Sequence, residues 1–276
     1  MSKFLGRLFM DFDAKVQTIL LIATLILPYA FWKTSEELVV KMKGDIIEGI
    51  EISIENFPEV WISIITGIIL CGLLCMYFRQ RNGEITFNKG NAYKTQTYIW
   101  YFYCANILGY RKCILERVPI AQQIRLVLND TFEEFVFSKL EEREDIEIKA
   151  KWKIALNAPY QREINLMLAD TYPLELEQIT VGRNLPTLLI DRKNRRDNNR
   201  YYIPDYCKVI AEELEKLPLE VEVINLYATT NVKHVKEFTE KVLKKGGRGN
   251  IKMLRVYQQD STRERKFGKK AKVIKL

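Results

Sequence analysis

Histidine is almost absent from this sequence: the 276 residues contain one, His234, together with five cysteines. Because zinc sites are built mainly from histidine and cysteine, a single histidine excludes most of them. Cys71 and Cys75 lie in an apolar segment, and the other three cysteines are scattered without metal-ligand spacing. We therefore expect neither a disulfide framework nor a bound metal, and the usage is typical of reduced thiols in the cytoplasm.

The common enzyme motifs are also missing. The sequence has no G-x-x-x-x-G-K-[ST], no G-x-G-x-x-G, no H-E-x-x-H and no G-x-S-x-G. The glycine-rich KKGGRGN at 244–250 follows a predicted helix instead of opening one, so it is a better helix stop than a phosphate loop. We assign no catalytic residue and no cofactor, and His234 is expected to be a packing or surface residue.

Long apolar runs occur twice, at Val16–Trp32 and at about Val60–Phe78. Each approaches the ~20 residues that a helix needs to cross a bilayer. Lysine and arginine flank the outer ends of this pair, whereas the intervening residues 33–59 are acidic. The positive-inside rule therefore places both termini in the cytoplasm and the acidic loop outside, as in a multi-pass protein of the inner membrane. Within that loop, Asp45–Phe57 has the pattern of an amphipathic helix.

Small residues recur every fourth position in the second run, at Ser63, Gly67, Cys71 and Cys75. Residues four apart share a helix face, and small residues let membrane helices approach closely. This stripe predicts either a seam with the first span of the same hairpin or a surface for self-association of several hairpins.

The remainder of the chain predicts a water-soluble domain. Residues 146–156 alternate as a half-buried strand, a helix is predicted from Pro204 to Leu217, and residues 129–144 also have a helical pattern. Strand, helix and strand then follow over 219–258, which is a βαβ unit. The predicted fold is a membrane α-helical hairpin (1–82), a cytoplasmic α/β or α+β domain (83–260) and a basic tail (261–276).

Two places in this domain are candidate ligand sites. The first is Thr229, Thr230 and Asn231, where a strand passes into a helix, and ordinary capping by Asn231 is the alternative interpretation. The second is a set of arginines that match phosphate geometry, with a mobile charged hairpin tip as the alternative. These arginines are Arg183, Arg192, Arg195, Arg196 and Arg200.

The tail at 261–276 carries seven basic residues and one acidic residue, within a chain of net charge +8. We expect a solvated, disordered end. Attraction to anionic lipid is the second interpretation, and nucleic-acid binding has little support because no stacking motif accompanies the charge.

A short pair of spans followed by a sensor-sized domain resembles, in its layout, the two-transmembrane effectors of bacterial antiphage systems. That resemblance implies a nucleotide or cyclic oligonucleotide ligand, self-association of the hairpins and membrane disruption or pore opening. The alternatives are a docking subunit of a secretion or conjugation assembly and a membrane-tethered enzyme.

Overall fold

The computed structural model describes residues 12–42, 59–90, 93–156, 161–193, 199–244, 250–260 and 264–276. The helices are α1 (Phe12–Met42), α2 (Glu59–Asn82), α3 (Tyr98–Asn106), α4 (Ile120–Leu128), α5 (Asp205–Glu215) and α6 (Val232–Glu237), which continues as a π-helix over Phe238–Lys244. The strands are β1 (Thr86–Phe87), β2 (Lys112–Ile114), β3 (Glu134–Val136), β4 (Glu141–Glu142), β5 (Ile148–Ile154), β6 (Glu163–Ala169), β7 (Thr187–Arg192), β8 (Tyr201–Tyr202), β9 (Val223–Ala228), β10 (Met253–Gln259) and β11 (Phe267–Lys275).

The chain forms two compact units. The first, the hairpin unit, comprises residues 1–92 and 102–113, and the second, the α/β unit, comprises 93–101 and 114–276. The hairpin unit thus extends past residue 82, where the sequence predicted the boundary. The α/β unit runs to the last residue and includes the predicted tail.

Helices α1 and α2 carry the two apolar segments. Asp13–Ala30 and Ser63–Asn82 are each long and apolar enough to cross a membrane. Many of their large apolar side chains are exposed, among them Ile26 at 57% and Ile68 at 59%. In water such a surface is unfavourable, whereas lipid chains would cover it. The predicted spans are therefore confirmed as helices; the predicted loop helix at 45–57 lies outside the described residues.

The small-residue stripe is used inside the hairpin. A Cβ atom on Gly67 would lie 3.2 Å from the backbone oxygens of Thr24 and Leu25, so the α1 backbone passes directly over this glycine. Ser63 is also buried, at 4% exposure, while Cys71 and Cys75 are half-buried. The Cys75 thiol donates to the Ile107 carbonyl, at 3.2 Å. Gly67 therefore lies where α1 packs on α2, and self-association through this glycine would require the two helices to separate. Self-association through the stripe stays a prediction.

A pair of buried side-chain amides joins the first part of α1 to the last residue of α2. Gln17 Nε2 donates to Asn82 Oδ1 at 3.0 Å, and Asn82 Nδ2 donates to Gln17 Oε1 at 2.8 Å. Asn82 Nδ2 also donates to the Leu108 carbonyl at 2.7 Å. Because a buried amide without partners is costly, these bonds favour one register between α1 and α2.

A six-stranded sheet with the order β11-β10-β9-β6-β7-β5 forms the centre of the α/β unit. The four inner strands are parallel, and β11 and β5 run antiparallel at the two edges. The parallel pairing of β9 with β10, connected through α6, confirms the predicted βαβ unit. The central strand β6 was not predicted; its sequence EINLMLA is nearly continuous in apolar residues because both of its faces are buried.

Both faces of this sheet are covered. Leu166 and Leu168 of β6 face a core that includes Ile124 of α4, Tyr206 of α5 and Phe238 after α6. Met167 and Ala169, pointing the opposite way, face a second core. The rest of that core is Leu174, Ile179, Leu189, Tyr227, Tyr257 and Phe267. The connection from β6 to β7 therefore covers one face, and the helices cover the other.

Two predicted elements are wrong. Residues 129–144 contain β3 and β4 instead of a helix, because α4 ends at Leu128 and Asp130 takes a left-handed backbone conformation (φ 44°). The basic end is not a solvated tail over Phe267–Lys275: it is β11, paired with β10 from Met253↔Lys275 onward. Phe267 and Ile274 are buried at 1% and 4% exposure and hold this strand in place.

Candidate ligand site at the carboxyl edge of the sheet

The direction in which the chain adds strands to the sheet reverses between β6 and β9, which are neighbouring parallel strands. From β6 the chain passes to β7 on one side, and it then returns past β6 to β9 and β10 on the other side. In open α/β sheets, ligands bind outside the carboxyl ends of the strands at such a switch point. Asp170 and Thr171 follow β6 at this point, and Thr229, Thr230 and Asn231 follow β9.

Asp170 organises this point from a fully buried position, with 0% exposure. Its Oδ2 atom accepts from the Asn231 backbone N–H at 3.0 Å and from Asn231 Nδ2 at 2.7 Å. His234 Nδ1 lies 2.9 Å from the same oxygen. The other carboxylate oxygen, Oδ1, is buried without a hydrogen-bond partner among the described residues. A buried acceptor without a donor is costly, so this oxygen is an uncommon feature located at the switch point.

The single histidine is held in one tautomer. The Ile203 backbone N–H donates to His234 Nε2 at 2.9 Å, so Nε2 must be the acceptor and the proton resides on Nδ1, which donates to Asp170. The ring also stacks on Tyr206, with centroids 4.7 Å apart. The 2.9 Å approach of Asn231 Nδ2 to Nδ1 is then a contact between two donors that share Asp170 Oδ2. His234 is a packing residue, and its lone pair is already occupied.

The predicted Thr229–Asn231 turn takes the capping geometry. Asn231 Oδ1 accepts from the His234 N–H at 3.0 Å, which makes Asn231 the N-cap of α6. Thr229 is buried and donates its hydroxyl to the Tyr172 carbonyl at 2.8 Å. Thr230 is only half-buried. The cap interpretation is confirmed for Asn231, and a ligand role of this turn stays a prediction.

The three predicted arginines that the structure describes do not lie together as one cluster. Arg192 ends β7 at the carboxyl edge, is buried at 3% exposure and donates to the Asn199 carbonyl at 2.7 Å. Arg200 directly precedes β8 and is exposed. Arg183 instead precedes β7, at the amino edge, and pairs with Glu177 at 3.2 Å. Arg195 and Arg196 lie outside the described residues.

Aromatic and basic residues that the sequence analysis missed lie along the same carboxyl edge. The guanidinium of Arg265, in the β10–β11 turn, is 4.1 Å from the ring centroid of Tyr172, which follows β6. Lys233 Nζ, in the first turn of α6, is 3.1 Å from the ring centroid of Tyr202. We call these four residues the rim: Tyr172, Tyr202, Lys233 and Arg265. Within the part of the chain that the structure describes, no carboxylate forms an ion pair with either rim cation.

The ring of Tyr202 in the rim is held in place by a hydrogen bond. Its hydroxyl donates to Glu237 Oε1 at 2.7 Å. Burial, followed by this hydrogen bond to the carboxylate, raises the pKa of Tyr202 well above its ordinary value. The phenol thus stays protonated at neutral pH and fixes the ring against which Lys233 packs.

Comparison with known proteins decides the family. The model of the SMODS- and Ubiquitin system-associated 2TM effector domain, SUa-2TM, matches residues 2–274. The chain belongs to the SUa-2TM family. Two membrane-length helices followed by a mixed α/β domain agree with that description, and the resemblance in layout to two-transmembrane effectors is confirmed. No curated protein matches the sequence.

Two solved structures are similar to this SUa-2TM chain. Both are the Cap4 SAVED/CARF-domain containing receptor of Acinetobacter baumannii, one with the cyclic trinucleotide 3'3'3'-cAAA (TM-score 0.40) and one with 2'3'3'-cAAA (TM-score 0.43). Sequence identity is 11% in each case, and the match covers 82% of this chain and 48% of the receptor. The SUa-2TM chain therefore spans about half the length of these receptors.

Proposed function

We propose that this SUa-2TM protein is a membrane effector whose α/β unit binds a nucleotide second messenger at the carboxyl edge of its sheet. Binding brings copies of the protein together, and their hairpins then disrupt the membrane or open a pore, as in an abortive antiphage response. Family membership supports the two-span effector part of this proposal. The ligand, the self-association and the membrane damage are the parts that need experiments.

The single observation that carries the ligand class is the rim at the switch point. Arginine and lysine attract phosphate, and an aromatic face beside them can stack on a base. Tyr172 with Arg265 and Tyr202 with Lys233 supply both chemistries at the edge where open α/β sheets bind ligands. Neither cation is neutralised by a carboxylate among the described residues, so both are available to an anion.

Ligand-dependent stabilisation of the full-length protein in detergent tests this proposal. We expect one member of a panel of cyclic di- and trinucleotides to raise the melting temperature. At a hundredfold excess over Kd, a ligand adds about 2.7 kcal/mol to the free energy of unfolding. Lys233→Gln combined with Arg265→Gln should abolish this gain, whereas Lys149→Gln combined with Lys151→Gln, on the exposed β5, should retain it.

The docking-subunit alternative makes the opposite prediction. A domain that only docks onto a protein partner would show no stabilisation by any nucleotide of the panel. The enzyme alternative has lost its one candidate base, because His234 Nε2 accepts from the Ile203 N–H.

Membrane orientation is the second part of the proposal. The flanking charges support a cytoplasmic position of both termini, where a soluble messenger would reach the α/β unit. A cysteine introduced at Ser53 should react with a membrane-impermeant thiol reagent in intact cells, and one introduced at Ser261 should react only after lysis. The reverse pattern would contradict a cytoplasmic sensor.

A further inference from the structure

A second cleft lies in the α/β unit, away from the rim. It has a volume of about 450 Å³ and lies between the edge strand β11, the first turns of α4 and residues 95–98. This volume is within the range of small-molecule sites. Lys272, on the β11 wall, pairs with Val256 in the middle of β10, so the cleft is not at the carboxyl edge.

The walls of this cleft combine an apolar floor with two cations. Ala121 and Ile274 are buried at 8% and 4% exposure and form part of the floor. Lys272 is exposed on β11, and Arg125 is exposed on α4. The cations thus belong to the two elements that bound the cleft.

Tyr98 and Gln122 add the groups that recognise a planar ring. The Arg125 guanidinium lies 5.8 Å from the ring centroid of Tyr98. An aromatic ring beside a planar guanidinium is a stacking platform for a base. The Gln122 side chain is half-buried, and its Nε2 atom has no acceptor among the described residues. A base edge with a ring nitrogen or a carbonyl would supply one.

We propose that this cleft is a second binding site, for a mononucleotide. Its base would stack at Tyr98 and accept from Gln122, and its phosphates would lie between Arg125 and Lys272. The site is independent of the messenger site proposed at the rim. Residues 95–98 are also the first part of the α/β unit after the hairpin unit, so an occupied cleft would restrain the segment through which the chain passes from one unit to the other.

Calorimetric titration of the full-length protein in detergent with ATP, adenosine and tripolyphosphate tests the proposal. We expect ATP to bind, and adenosine and tripolyphosphate to bind at least tenfold more weakly, because each lacks half of the contacts. Arg125→Gln and Lys272→Gln should each weaken ATP binding about tenfold, the usual effect of losing one charge-assisted hydrogen bond. Both side chains are exposed, so the melting temperature should not change.

Two controls separate this site from its surroundings. Lys275→Gln removes a lysine from the same strand without touching the cleft, and Lys233→Gln combined with Arg265→Gln removes the rim; both should leave ATP binding unchanged. Absence of ATP binding, or loss of it only in the rim variant, would overturn the proposal. Tripolyphosphate binding as tight as that of ATP would contradict base recognition. Failure of cyclic nucleotides to stabilise the protein would affect only the messenger site.

Discussion

His234 Nδ1 lies 2.9 Å from Asp170 Oδ2, and both side chains are fully buried. Asp170 follows β6, and His234 belongs to the helix that follows β9. Their contact therefore connects the two strands between which the sheet reverses its order. Since Asn231 donates twice to the same carboxylate oxygen, the switch point is shaped before any ligand arrives, which lowers the cost of ordering it on binding.

Removal of Asp170 should destabilise the domain strongly. In Asp170→Ala, the Asn231 N–H and His234 Nδ1–H lose their acceptor in a buried place, and the Asn231 side-chain amide keeps only the Tyr201 carbonyl. We expect a loss of about 3–5 kcal/mol, the range for breaking one side of a buried charged network. Denaturant unfolding of the full-length protein, followed by circular dichroism, measures it.

Asp145→Ala is the matched control for this prediction. Asp145 also makes short bonds, at 2.7 Å to Arg143, but the pair lies on the surface. Solvent screens an exposed pair, so Asp145→Ala should lose much less stability than Asp170→Ala. Similar losses in the two variants would show that the Asp170 network has no special structural role.

Alkaline pH should destabilise the α/β unit through Tyr227. Burial raises the pKa of Tyr227 above its ordinary value, and its hydroxyl donates to the Val181 carbonyl at 2.7 Å. In the unfolded chain the phenol loses its proton near pH 10, whereas the folded protein keeps it. The unfolded state then binds fewer protons, so stability is retained below pH 10 and falls as pH rises above it.

Tyr227→Phe provides the test. This variant loses the hydrogen bond to Val181 and should be less stable at neutral pH. In thermal melts, however, its stability should fall less than that of the parent protein between about pH 9 and pH 11, one unit on each side of the ordinary tyrosine pKa of ~10. Tyrosinate absorbance should show one late-titrating tyrosine fewer in the variant than in the parent protein, because Tyr202, whose pKa is also raised, is present in both. Identical alkaline slopes for parent and variant would contradict this assignment.

The seam between α1 and α2 can be tested with two glycines of one helix. Gly67→Leu places a side chain against the Thr24 and Leu25 carbonyls, whereas a Cβ on Gly72 would meet nothing within 4 Å. We expect Gly67→Leu to separate the helices and Gly72→Leu to have little effect. Both replacements remain apolar, so insertion should survive.

Crosslinking inside the hairpin reads out this separation. Leu21 on α1 is buried, and Cys71 lies one helical turn beyond Gly67, so a cysteine at position 21 should approach it. Oxidation should form an intramolecular disulfide in the Leu21→Cys protein and in its Gly72→Leu derivative, but less in its Gly67→Leu derivative. Equal yields in all three would show that Gly67 does not determine the packing of α1 on α2.

Sequence patterns predicted the elements whose residues show a regular period. The two apolar runs, the alternation of β5, the helix after Pro204 and the Asn231 cap all depend on local spacing or local hydrogen bonds. The central strand β6 was missed because a strand buried on both faces has no alternation. Strand β11 at the basic end was missed as well. Phe267 and Ile274 anchor this strand, but the seven basic residues around them made the segment resemble a solvated tail.

The candidate site was predictable only in its position. A strand-to-helix turn at Thr229–Asn231 indicates the carboxyl edge of a sheet, and Arg192 is the last residue of a strand that ends at that edge. Asp170, Tyr172 and Arg265 come from other strand ends, and only the strand order brings them there. Arg183 shows the reverse case. It was grouped with the arginines that end or follow β7, but it precedes β7, so the length of this strand separates it from them.

Ligand-dependent leakage from liposomes tests the central claim most directly. The full-length protein, reconstituted with an entrapped dye, should release it only when the stabilising cyclic nucleotide is added on the side of the α/β unit. The Lys233→Gln, Arg265→Gln double variant should insert equally and release none, and the Lys149→Gln, Lys151→Gln control should behave as the parent. Release without any nucleotide, or equal release by the rim variant, would contradict a membrane effector controlled from the carboxyl edge of its sheet.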